Sequence, residues 1–101
     1  MRFHKELYLG DSIRNAGIVK WKLKHHSGQL RIFVIALSSG SDQLEIYHCA
    51  FLQQRYYKKH PPYIVGIAGG YEEALELVRR MTSDVYTRTG GCGLKEYFLK
   101  G

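Results

Sequence analysis

Residues 30–37, Leu-Arg-Ile-Phe-Val-Ile-Ala-Leu, are the longest nearly unbroken apolar run in the chain and are rich in β-branched and aromatic types. Such a run reads as a central strand. It is apolar at odd and even positions alike, and successive strand side chains point to opposite faces, so it has to be covered on both faces or flanked on both edges. The rest of the chain is read as supplying that cover. A length of 101 residues suits a single domain, 1–101, whose core needs neither a disulfide nor a metal to hold it.

Upstream, residues 19–25, Val-Lys-Trp-Lys-Leu-Lys-His, alternate apolar and cationic. A period of two predicts a half-buried strand near 18–26. Ser27-Gly28 then reads as a two-residue hairpin turn into the second strand, near 29–38, with Leu23 opposite Ile32 and Trp21 opposite Val34. A Ser-Ser-Gly-Ser-Asp connection leads to a third strand near 43–52, aligned with Ala36 opposite Leu44 and Val34 opposite Ile46. Residues 53–62 are polar, basic and end in two prolines, which predicts a connecting loop. A buried strand at 63–68 follows, and Gly69-Gly70 opens a long helix near 71–89.

Along that helix Tyr71, Ala74, Leu75, Val78, Met81, Thr82 and Val85 recur at helical spacing as a packing stripe. Glu72, Glu73 and Glu76 lie early and Arg79, Arg80 and Arg88 late, as the helix dipole favours. Residues 3–9 suggest a short strand, 10–17 a loop, and 94–99 a docked edge strand or last helical turn. The expected fold class is α+β: a mainly antiparallel sheet of four to five strands, a meander near 18–26, 29–38 and 43–52 followed by 63–68, packed on one face by a single long C-terminal helix.

This register sorts the side chains into two faces. The first carries Val19, Trp21, Leu23, Leu30, Ile32, Val34, Ala36, Leu44, Ile46 and Ala50, and the helix is expected on it. The second carries Lys20, Lys22, Lys24, Arg31, Phe33, Ile35, Glu45, Tyr47, Cys49 and Phe51, a mixture of cations and aromatic or aliphatic groups. Together with the 55–60 loop, it provides the candidate partner-binding residues: Lys20, Lys22, Lys24, Arg31, Phe33, Tyr47, Arg55, Tyr57, Lys58 and Lys59.

Three uses of that face compete. An apolar patch of this size favours a protein partner or a homodimer, placed first because a symmetric dimer would bury the second side of the central strand. Aromatics among cations also suit single-stranded nucleic acid, with bases stacked on rings and phosphates neutralised by lysines. The third is wholly structural: the N-terminal segment or the C-terminal tail folds across the face and leaves nothing exposed. The formal charge of +6 favours polyanions without specifying one.

Chemistry-bearing motifs are scarce. The passage Ile-Ala-Gly-Gly-Tyr-Glu-Glu at 67–73 resembles a phosphate-binding turn, but it has neither Gly-x-Gly-x-x-Gly nor a Walker lysine, and Glu72 and Glu73 stand where the phosphate would sit. A tight strand-to-helix turn is the expectation. Five histidines and two cysteines show no zinc-ligand spacing, and neighbours such as His48 and Cys49 diverge on a strand, so neither metal nor cofactor is expected. No nucleophile, base and carboxylate form a local motif, which favours a non-enzymatic binding domain. The apolar run is far shorter than the roughly 20 residues that span a bilayer. The charged N-terminal residues lack a signal-peptide core and two cysteines make no disulfide framework, so cytoplasmic residence is the expectation.

Overall fold

The computed structural model describes residues 2–24, 31–38, 42–91 and 93–100. Four strands, β1 (Arg2–Leu9), β2 (Phe33–Leu37), β3 (Leu44–His48) and β4 (Tyr63–Ala68), form one sheet in the order β1-β4-β2-β3. The helices are α1 (Ala16–Lys24), α2 (Arg55–Lys59), α3 (Tyr71–Thr89) and α4 (Leu94–Lys100), and a 3-10 turn spans Cys49–Gln53. The class is α+β with a four-stranded sheet packed against the C-terminal helix. The sheet is mixed: β2 is antiparallel to β3 and β4, whereas β1 runs parallel to β4.

The central strands are apolar on both sides and are covered on both sides. On one face Ile35, Leu37, Val65 and Ala68 pack against Ala74, Leu77, Met81 and Val85 of α3 and Leu94 and Phe98 of α4. On the other, Val34, Ala36, Ile64 and Ile67 pack against Leu23 of α1 and Leu52 of the 3-10 turn. The long helix therefore lies on the Phe33, Ile35 and Leu37 side, opposite to the face expected for it. Phe33, Ile35 and Leu37 are covered from within the chain, but chiefly by the long helix, with α4 of the tail beside it and the N-terminal segment elsewhere.

Two differences from the expected sheet produce this exchange of faces. The segment read as a strand near 18–26 is helical through Lys24, and its last two residues, with the Ser27-Gly28 turn, lie outside the described residues. Val19 and Leu23 are four apart, so a helix turns both inward as readily as a strand does. The Asn15 side chain accepts from the Ile18 N–H at 3.1 Å, capping the first turn. The edge of β2 expected to receive this segment is filled instead by β4, with Val34 opposite Ile67.

The second difference is register. Ala36 stands opposite Glu45, one residue away from the expected Leu44, and a one-residue slip moves every side chain to the other face. Leu44 and Ile46 accordingly join Ile35 and Leu37 under α3, and Tyr47 joins Val34 on the α1 side. The third strand also ends at His48, whose Nδ1 accepts from the Ala50 N–H and starts the 3-10 turn. The 53–62 connection contains α2.

Residues 63–68 and 71–89 adopt the elements read from the sequence. Gly90, with φ 74°, ends α3 in the left-handed conformation that glycine favours. The inward stripe of α3 is Ala74, Leu77, Met81 and Val85, while Tyr71, Leu75 and Thr82 face solvent. The tail forms α4, joined to α3 by an Arg88 Nη1–H donated to the Tyr97 hydroxyl at 2.7 Å. Tyr8 of β1 donates to Asp84 of α3 at 2.7 Å. Among the described residues no helix is long and apolar enough to cross a membrane.

The β4 pairing carries an irregularity that sets the spacing to α3. Ile35 pairs with Gly66 while Ala36 pairs with Ile64, so Val65 and Gly66 form a bulge on the α3 side. A Cβ on Gly66 would lie 3.2 Å from Ile35 Cδ1 and 3.3 Å from Leu77 Cδ2. The missing side chain is what lets Leu77 reach the sheet. Gly66→Val, which adds three carbons there, is expected to destabilise the fold by about 1–3 kcal/mol in urea denaturation; unchanged stability would show that α3 does not press on this bulge.

Candidate ligand-binding cleft

At one end of the sheet β1 and β4 begin, β2 ends and β3 begins. An open cleft of about 630 Å³ lies there, formed by these strand ends with α2, the 60–62 segment and α4. The His60 N–H donates to the Tyr56 carbonyl at 2.9 Å, closing α2 just before Pro61 and Pro62. The Arg2 N–H reaches the Pro62 carbonyl at 3.4 Å, bringing the start of β1 beside the prolines. From the other side the Lys95 N–H donates to Asp42 Oδ1 at 2.7 Å, tying the first turn of α4 to the β2–β3 connection.

Tyrosine dominates the walls. Tyr47 meets Tyr57 edge-on with ring centres 5.3 Å apart, and Tyr57 meets Tyr56 the same way at 5.1 Å. The His60 ring tilts against Tyr56 at 4.9 Å. Tyr56 keeps 57% of its surface exposed, so the series ends with an open ring. Across the cleft, the Arg2 guanidinium lies 5.2 Å from the centre of the Tyr63 ring, a cation–π arrangement. The Tyr63 hydroxyl is 2.9 Å from Nδ1 of His4, which is buried behind it. Burial lowers the His4 pKa below the usual histidine value, with Lys5 adding to the shift and Glu6 opposing it.

The charged lining is Arg2, Lys59, His60 and Lys95 against Glu45. Glu45 accepts a 2.7 Å hydrogen bond from the Tyr47 hydroxyl. Burial, and after it the Glu45 carboxylate, hold the Tyr47 phenol well above the ordinary tyrosine range. Tyr8 is raised in the same way, by burial first and Asp84 second.

The sequence candidates divide accordingly. Tyr47, Tyr57 and Lys59 line the cleft, with Arg55 and Lys58 in the same short helix α2. Phe33 lies on the opposite side of the sheet from Tyr47, edge-on to His48 at 5.2 Å and to Tyr71 at 5.7 Å. Lys20, Lys22 and Lys24 are on α1 rather than on a sheet face. Lys20 Nζ stands 5.7 Å from the centre of the Phe3 ring, and Arg31 is exposed just ahead of β2. Arg2, Glu45, Tyr63 and Lys95 complete the cleft but were not singled out from the sequence. Their signal is the aromatic-basic composition of 55–63, which could not be joined to residue 2 or residue 95 without the parallel β1–β4 pairing. No family model, curated protein or solved structure matches this chain.

Two other places have their polar groups engaged. At the Gly69-Gly70 turn the Glu73 carboxylate accepts from the Ser12 N–H at 2.8 Å, the Ser12 hydroxyl at 2.7 Å and the Gly69 N–H. The protein's own carboxylate thus fills the position an anion would take. The recess of about 340 Å³ between β1, α3 and α4 is bordered by the Tyr8–Asp84 and Arg88–Tyr97 pairs. Among the described residues no three His, Cys, Asp or Glu side chains converge as metal ligands.

Glu73 and Tyr47 generate separate tests. Burial alone would raise the Glu73 pKa, but hydrogen bonds from Ser12, Gly69 and Asp11 outweigh it and hold the carboxyl below its usual value of 4.5. A lowered carboxyl stabilises the fold above the unfolded pKa and loses that contribution as pH falls through the folded value. Glu73→Gln is expected to cost roughly 1–2 kcal/mol at neutral pH and to lessen the fall in stability under acid, both read by urea denaturation. Alkaline titration of phenolate absorbance should show Tyr8 and Tyr47 ionising late, and Tyr47→Phe should remove one late phenol; loss of an early one would contradict the Glu45 contact.

Proposed function

We propose that the protein is a non-enzymatic binding domain that takes single-stranded nucleic acid in the tyrosine-lined cleft. The observation that carries this reading is the convergence of Tyr47, Tyr56, Tyr57 and Tyr63 with Arg2, Lys59 and Lys95 around one opening. Every base has a π-face, and stacking on an aromatic ring contributes about 1–3 kcal/mol per base whatever the base. Cations beside the rings neutralise phosphates, and the net charge of +6 assists encounter. A cleft of about 630 Å³ is within the range of pockets that hold molecules of nucleotide size.

A protein partner, including a second copy, is the second reading. Of the face first assigned to it, Phe33 and Ile35 lie under α3 and α4 and Tyr47 lies on the other side of the sheet, so the observation favouring it is different: Ile18 and Trp21, three residues apart on α1, are 52% and 56% exposed.

Fluorescence anisotropy with labelled decauridylate and decathymidylate separates the two. Binding should be strong at about 50 mM salt and fall steeply by about 200 mM. Arg2→Ala and Lys59→Ala should each weaken it and reduce the salt slope by about one, and Tyr56→Ala should weaken it with the slope kept. Absence of binding at both salts, with a dimeric mass that Ile18→Glu converts to a monomer, would decide for self association.

A further inference from the structure

A carboxylate in a cleft meant for phosphates is an anomaly. Glu45 lies among Arg2, Lys59, His60 and Lys95, and as an acceptor-only group it repels the anion that those cations attract. It is also held in place. Glu45 and Tyr47 are two apart on β3 and share its α1-side face, and the Tyr47 hydroxyl donates to Oε1 at 2.7 Å. Holding a half-buried carboxylate in one orientation beside stacking rings favours a ligand that brings hydrogen-bond donors, and in a nucleotide those donors are on the base edge.

The bases differ sharply in what they offer such a group. Adenine and cytosine present one exocyclic amine beside a ring-nitrogen acceptor, and uracil presents one N–H between two carbonyls, so each turns an acceptor toward the second carboxylate oxygen. Guanine presents N1–H and N2–H side by side, two parallel donors at a spacing that a carboxylate matches. Stacking on Tyr47, Tyr56 and Tyr57 tolerates any base; the carboxylate does not. We infer that Glu45 reads the Watson–Crick edge of a guanine stacked in the cleft, making this a guanine-selecting site. The inference rests on the cleft being the nucleic-acid site proposed above.

Displacement of labelled decauridylate by mononucleotides tests it. Inosine monophosphate keeps N1–H and lacks the N2 amine, so it differs from GMP by the one donor at issue. GMP is expected to displace the probe at roughly tenfold lower concentration than IMP, the effect of one hydrogen bond to a charged acceptor, with AMP and CMP no better than IMP. In Glu45→Gln, whose amide oxygen can still accept from Tyr47, the ratio of GMP to IMP should fall to about one. Equal displacement by GMP and IMP in the unmodified protein, or a preference that survives Glu45→Gln, overturns guanine reading and leaves the cleft standing. Failure of both decauridylate and a labelled guanine-containing decamer to bind at any salt overturns both.

Discussion

Two adjacent strands, β4 and β2, are apolar on both faces, and the fold is largely the answer to that condition. A half-buried sheet leaves one side to water; Val34 and Ile35, or Ile64 and Val65, allow no such side. One face takes the long helix α3 with α4 as its extension, and the other takes α1 and the 3-10 turn. The bulge at Val65-Gly66 adjusts the fit, placing a residue without a side chain where Ile35 and Leu77 come closest. Both edges then fall to strands of a different kind. Arg2–Leu9 and Leu44–His48 are only half covered, which is how charged residues such as Lys5 and Glu45 can be accommodated in them.

The parts of this arrangement that were legible in the sequence are those where local and long-range requirements coincide. Residues 63–68 are apolar, flanked by prolines and glycines, and too short for a helix; residues 71–89 have helical periodicity, acids first and a glycine stop. The strand expected near 18–26 gives way to α1 because alternation and helical spacing agree at Val19 and Leu23 and differ only at Trp21, which a strand would bury and the helix exposes. A strand there would occupy the edge of β2 that belongs to β4. The β2–β3 register would then follow the wrong face, a slip that neither strand's composition resists, since Leu44 and Ile46 pack as well on one side as Glu45 and Tyr47 do on the other. Parallel pairing between residues near 3 and residues near 64 leaves no local trace at all.

The cleft was legible in part for the same reason. Its aromatic and basic wall at 55–60 is continuous in sequence, whereas Arg2, Glu45 and Lys95 reach it only through the sheet and α4. What the fold adds to a basic, tyrosine-rich loop is rigidity: β3 positions Tyr47, Tyr47 positions Glu45, and Tyr57 leans on Tyr47. Side chains ordered before a ligand arrives lose less freedom on binding it, so such a site can discriminate between ligands of similar size and charge.

The backbone bond from Arg2 to Pro62, and the Lys95 N–H donated to the Asp42 carboxylate, have a consequence for the birth of the protein. The cleft takes Arg2 from β1 and Lys95 from α4, so a nascent chain that has not reached α4 lacks one of its walls. During synthesis β1 emerges first yet must wait some sixty residues for its partner strand, the kind of distant closure that makes folding slow. The cleft thus stays without one of its walls until the residues of α4 have been made and have docked on the sheet.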